Sequence, residues 1–285
     1  MRRVAPNRSS SFGIGRSFAA VAGLSLLAAS LGAQGPARGI RLGDLSWTSA
    51  ERLLDSSTVV VIPLGAEAKE HGPHLRLTTD FIEATYYADR VLAAARIVLA
   101  PTINYSFYPS FVDYPGSTSL RFDTARDVVI DICRSLARFG PRRFYILNTG
   151  VSTVRILGPA SDSLAATGIV MRFTNGGPRS DSVEKAIARQ PGGTHADEIE
   201  TSMLLYMAPH TVDMRRAAAD YHPGAGGLTR DSVRAVREGK VFSRTGIFGD
   251  ATLATREKGR QYVEARVLDI LADIETLRRE PLPQP

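Results

Sequence analysis

Four runs of this sequence are solidly apolar, and stretches of helical character separate them. STVVVIPLG (57–65), IVLAPTINYSF (97–107), PRRFYILNTG (141–150) and GIVMRF (168–173) are rich in β-branched and aromatic residues. A strand with one face in water alternates polar and apolar residues, whereas a strand covered on both faces does not. Helices are expected in DFIEATYYADRVLAAAR, VSTVRILGPASDSLAATG, DEIETSMLLYMAP and REKGRQYVEARVLDILADIETLRRE. The clearest helix is FDTARDVVIDICRSLARFG (122–140), which ends at Gly140 because Pro141 cannot continue it. Strands alternating with helices predict an α/β fold, a three-layer α/β/α sandwich around a mainly parallel sheet. No internal repeat or linker interrupts the pattern, so one domain is expected from about residue 36 to 285. In such sheets ligands collect beyond the carboxyl ends of the strands. Those ends carry GAEAKEHGPH, YPGSTS and NTGVST.

The first 33 residues do not share this pattern. Arg2, Arg3, Arg8 and Arg16 precede the apolar, small-residue run SFAAVAGLSLLAASLGA, as in a secretory leader. Cleavage is expected after Ala33, with Leu31 large for its place, and the apolar run is short of the roughly 20 residues that span a bilayer. An exported protein without stable membrane insertion is expected, in the periplasm or beyond the cell. Removing the leader takes the formal charge from +6 to +2. The basicity therefore belongs mostly to targeting, and no basic stripe with interleaved aromatics points to nucleic acid. The single cysteine, Cys133, forms no internal disulfide and is expected in the core. Trp47, the lone tryptophan, is read as a packing residue ahead of the first long strand.

Only five histidines are available, and His71 and His74 share the loop EAKEHGPHLRLTTD with Glu67, Glu70 and Asp80. Imidazole nitrogens and carboxylate oxygens suit zinc, manganese or iron. The alternative is a solvated loop with salt bridges to Lys69 and Arg76. A second cluster, THADEIETS, holds His195, Asp197, Glu198 and Glu200 at a helix start, where acids are favourable on dipole grounds alone. Five residues do not return to one helix face, so His195 and Glu200 can share a site only if His195 lies before the helix. No nucleophile elbow, phosphate loop, dinucleotide fingerprint or helical HExxH is present; Ser117 and Ser152 lie in no motif of a serine hydrolase.

IPLGAEAKEHGPHLRLTTD, YPGSTSL, FGPRRFYILNTG, HADEIETSMLLYMAP and TLATREKG resemble, in order, signatures of the creatininase family over roughly residues 40–280. The resemblance implies metal-dependent hydrolysis of amide or cyclic amide bonds in small molecules, a compact α/β sandwich and, in many members, hexamers. One branch processes a peptide-derived cofactor precursor. It implies that Asp80 bridges two metals, that His71 and Glu200 are metal ligands and that His195 shuttles a proton. Glu70 is taken as the early glutamate ligand, with Glu67 as the alternative, since creatininase has Glu-Gln-His where this chain has Lys69-Glu70-His71.

One departure concerns the end of the third strand. The family's Asn-Gly-His is Asn148-Thr149-Gly150 here, and Ser152 stands where creatininase has a glutamate. His210 or, better, His222 in YHPGAGG are possible stand-ins from loops. The expected function is hydrolysis of a non-peptide C–N bond in a small molecule, with one or two divalent ions, zinc first. The competing reading is an inactive binding protein on the same scaffold, because Gly150 offers no ligand.

Overall fold

The computed structural model describes residues 37–221, 243 and 245–284. The expected leader and His222 lie outside the described residues. Five parallel strands form one sheet in the order β1-β3-β2-β4-β5: β1 (Ile40–Arg41), β2 (Val59–Leu64), β3 (Val98–Leu99), β4 (Arg143–Asn148) and β5 (Val170–Phe173). The α/β/α expectation holds, with every pairing of this sheet parallel. All of β2 is buried, which explains its unbroken apolar run. Val59 and Val61 face one core and Val60, Ile62 and Leu64 the other, since successive side chains of a strand point to opposite faces.

The first core is closed by α2 (Thr79–Ala94), α6 (Glu198–Met207) and α7 (Arg256–Arg279), through residues such as Val91, Leu204 and Ile270. The second is closed by α3 (Phe122–Ala137) and α4 (Val154–Ala165), through Val129, Cys133, Ile156 and Leu157. Cys133 is fully buried, as expected, and burial pushes its thiol up to about 12. α1 (Trp47–Leu53) and α5 (Pro178–Ile187) complete the helices described. Trp47 departs from expectation: it opens α1 with 76% of its surface exposed, so it packs no core. Among the described residues, no helix is long and apolar enough to cross a membrane.

Two glycines set helix positions that matter for the site. A Cβ on Gly65, just after β2, would lie 2.3 Å from the Asp80 carbonyl oxygen, so only glycine lets α2 start this close to the strand end. A Cβ on Gly259 of α7 would lie 1.8 Å from the Ser202 carbonyl oxygen. Glycine there lets α7 touch α6, and the Ser202 hydroxyl accepts from Thr255 N at 3.0 Å beside it. Lys258 then donates to Glu198, which also accepts the backbone N–H groups of Arg189 and Gln190. Glu198, which reads in the sequence as a first-turn acid, is the bolt holding α6 against α7. A two-stranded antiparallel pair, β6 (Ala219–Asp220) and β7 (Gly249–Asp250), lies beside this region.

Candidate metal centre

The loop 66–80 leaves β2 and returns into α2, and it is pinned by the YPGSTS loop. Ser117 Oγ accepts Glu70 N at 2.9 Å, and Thr118 N donates to Ala68 O at 2.9 Å. The loop is buried rather than solvated, with His71, Asp80, Lys69 and His74 all at most 4% exposed. His74 turns away from the centre. Its Nε2 meets Thr201 Oγ1 at 2.8 Å, and burial brings its pKa down to about 4, so it is a neutral tie between loop and α6.

The second segment is shaped by an unusual backbone turn. Thr194 and His195 pair with Phe248 as a short antiparallel bridge. Ala196 then adopts a φ of 49°, and Asp197 caps α6 by accepting Ile199 N and Glu200 N. His195 thus precedes the helix, as the spacing requires for it to share a site with Glu200. Phe111 covers His195 with ring centroids 4.5 Å apart.

His71, His195 and Glu200 present ligand atoms within 4.8 Å of one another. His71 Nδ1 lies 2.9 Å from Lys69 O. A carbonyl can only accept, so Nδ1 carries the proton and Nε2 is left with its lone pair. That nitrogen faces Asp80 Oδ1 at 2.8 Å and Glu200 Oε1 at 3.6 Å. His195 Nε2 lies 3.0 Å from Glu70 O, which by the same reasoning fixes its proton there and turns the Nδ1 lone pair to Glu200 Oε2 at 3.6 Å. Lone pairs facing carboxylate oxygens repel unless a proton or a metal lies between them. Imidazoles held outward by backbone carbonyls, with free nitrogens converging on carboxylates, are the donor set of a zinc-type ion. The residues therefore fit one divalent ion among His71, His195, Glu200 and Asp80.

Charge at the centre follows from burial and neighbours. Burial favours a neutral Asp80, but Lys69 and His71 outweigh it and hold the carboxyl well below the usual range. Burial likewise opposes the charge on Glu200, and His71, His195 and Lys69 hold its pKa below normal. His195 resists desolvation through Glu70 and Glu200, which raise its pKa.

The structure brings together His71, Asp80, His195 and Glu200 but not Glu70. Glu70 sits on the far side of His195, with Oε2 3.2 Å from Nε2 and Oε1 bound to Gly72 N. Glu67 is also elsewhere, accepting from Asn104 at 2.8 Å. With His71 as the anchor, the residue in register with the first glutamate of Glu-Gln-His is Lys69. Its ammonium lies 2.7 Å from Asp80 Oδ2, an ion pair with side chains 5% and 1% exposed. Burial would lower the Lys69 pKa, yet Asp80, Glu200 and Glu83 raise it, so the lysine stays charged. His210 is exposed and offers its carbonyl to Arg76 at 3.3 Å, away from the centre.

At Gly150 the space beside the chain is filled by other groups. A Cβ there would meet Thr153 Oγ1 at 3.0 Å and Tyr108 Cε1 at 3.2 Å, and the backbone is tied to Asn148. Lys69 lies 5.6 Å from the Tyr108 ring centroid.

A cavity of ≈ 320 Å³ opens beside Glu200 at the ends of β4 and β5. Glu83, three residues after Asp80 on α2, lines it and was not singled out in the sequence. Burial, with Glu200 and Asp80 nearby, holds the Glu83 carboxyl well above its ordinary pKa. Its signal was available: Ala84, Tyr87 and Val91 mark the buried face of α2, and a glutamate on that face is exceptional.

The chain is similar to known proteins along most of its length. A family model described as creatinine amidohydrolase (Creatininase) matches residues 43–274. A mycofactocin precursor peptide peptidase of Mycobacterium tuberculosis is 30% identical over 253 residues, covering 84% of this chain and 94% of the relative. A creatinine amidohydrolase of Pseudomonas putida is 28% identical over 258 residues, covering 82% and 95%. A crystal structure of creatinine amidohydrolase superposes with a TM-score of 0.69 at 24% identity, covering 86% of this chain and all of the other.

Proposed function

This chain belongs to the creatininase family, and we propose that it is a metal-dependent hydrolase of a C–N bond in an amide, cyclic amide or formamide of a small molecule. The observation that carries the proposal is the convergence of the His71 Nε2 and His195 Nδ1 lone pairs on Glu200, with both opposite nitrogens tied to backbone carbonyls. When bound, a divalent ion supplies Lewis acidity and lowers the pKa of a bound water. On this reading His71, Asp80 and Glu200 would hold the ion, and His195 beside them would stay free of it. His195 lies between two carboxylates, Glu70 and Glu200, which stabilise its protonated form, so it can take a proton and deliver it to the departing nitrogen.

The reading assigns one ion per chain, zinc first. Asp80 offers one oxygen to the cluster while Lys69 holds the other. Lys69 thereby provides a positive charge from the chain itself, in a centre where Gly150 and Ser152 bring no ligand. The same features support a second reading, a binding protein whose centre is neutralised by Lys69 without any metal.

Metal counted per chain, after purification without chelator, separates the two. One ion in the parent and none in a His71→Ala, Asp80→Ala double variant supports the hydrolase. No ion, even after zinc, manganese or iron is added, removes it in favour of the binding protein. Export belongs to the same reading: the N-terminal sequence of the protein recovered from the periplasm of a Gram-negative host is expected to start at Gln34, and recovery of the intact N-terminus from the cytoplasm would count against it.

A further inference from the structure

The cavity beside Glu200 has a charge composition that the hydrolytic centre does not use. Five carboxylates line it, those of Glu83, Asp181, Glu184, Asp197 and Glu200, against a single cation, Arg266. Several of these groups already have partners. Asp197 caps α6 and accepts from Gln190 at 2.8 Å, Asp181 accepts Gly177 N at 3.3 Å, and Arg266 reaches Ser180 Oγ at 3.4 Å. Glu200 faces the two histidines.

Glu83 is different. It is 4% exposed, it lines the cavity, and its Oε1 has no hydrogen-bond partner among the described residues. The hydroxyl of Tyr87, 3% exposed and four residues further along α2, lines the same cavity and also lacks a partner there. Residues four apart share one helix face, so the two groups stand side by side. A buried carboxyl oxygen without a donor costs free energy, as does a buried hydroxyl without a partner. A donor of any kind would satisfy these atoms, but a cation does more: burial and the neighbouring carboxylates disfavour the charge on Glu83, and a positive group placed beside it restores that charge.

We propose that this cavity is a binding subsite for a protonated primary amine, with Glu83 as its counter-charge and Tyr87 as a second hydrogen-bonding partner. An ammonium carries three donors in a compact head, which suits a site built from separate acceptors rather than a planar fork. That the amine is part of the molecule being hydrolysed rests on the hydrolase reading, because the cavity reaches Glu200 and so adjoins the metal centre. The substrate class is then a small amide that bears a free amino group.

Calorimetric titration of the purified chain with propylammonium, beside its neutral relative 1-butanol and the anion butyrate, tests the subsite. Propylammonium is expected to bind at least tenfold more tightly than either. Glu83→Gln, which keeps the shape and removes the charge, is expected to weaken propylammonium about tenfold and leave 1-butanol unchanged. Equal binding of 1-butanol, or unchanged propylammonium binding in a folded Glu83→Gln protein, overturns the proposal. If that variant does not fold, the charged-against-neutral comparison in the parent decides alone. Metal counted on the same sample keeps the two readings apart. A chain that holds its ion and ignores propylammonium loses only the subsite. One that binds propylammonium selectively without any ion loses only the hydrolase.

Discussion

The ammonium of Lys69 stands 2.7 Å from Asp80 Oδ2, deep beneath the Phe111 ring, whose centroid is 4.7 Å away. Two charges are buried here because each neutralises the other. Removing one leaves the other uncompensated in a medium of low polarity, which costs far more than the intact pair contributes. Lys69→Met is therefore expected to lower the unfolding free energy of the metal-free protein by about 3–5 kcal/mol. Urea unfolding of parent and variant at neutral pH measures this; a loss below about 1 kcal/mol would show that Asp80 finds another partner.

Glu70 and Glu200 lie on opposite sides of the His195 ring, and only Glu200 faces the free nitrogens of both histidines. Glu200→Gln is expected to reduce bound zinc to well under half of the parent's content. Glu70→Gln keeps the zinc while weakening the hold on His195. Metal analysis of the two variants checks the assignment, and zinc lost through Glu70→Gln would return Glu70 to the ligands.

Gly259 allows α7 to meet α6 at backbone contact. Gly259→Ala drives a methyl into the Ser202 carbonyl, and relief requires the helices to part. A destabilisation of about 3 kcal/mol is expected, at the upper end for overpacking. Because α6 carries Glu200, zinc affinity is expected to fall with it. Thermal melts with and without zinc report both effects.

His74 supplies a pH dependence with a definite sign. The native state holds its imidazole neutral down to about pH 4, while the unfolded chain protonates near 6.5. Between those values only the unfolded state takes up the proton, so stability is present above pH 6.5 and is lost as pH falls towards 4. The full difference is about 3 kcal/mol. Urea midpoints at pH 7, 5.5 and 4 are expected to decline less steeply in His74→Gln than in the parent, and parallel declines would exclude the assignment.

The sheet was legible because its information is local. Val59 to Leu64 are buried on both faces, and a chain that must be dry on both faces has no choice but to be apolar throughout. The placement of His195 before α6 was legible for the same kind of reason, since helix geometry keeps residues five apart on different faces. Trp47 misled because size and apolarity suggest a core, whereas exposure depends on what the rest of the chain places over a residue.

The centre itself divides in the same way. Residue types and spacings along the chain marked the two clusters around His71 and His195, and the resemblance to the creatininase family nominated Glu70, His71, Asp80, His195 and Glu200 within them and marked Gly150 as a place without a ligand. Which glutamate faces the histidines, and that Lys69 turns inward to Asp80, depended on how the loop of 66–80 lies against α6 and Phe111. Those neighbours are more than a hundred residues apart in the case of Glu70 and His195. Local pattern reports which groups a segment carries and which face it buries. Partners across the sheet are chosen by packing and by the need to compensate every buried charge, and these act only once distant segments meet.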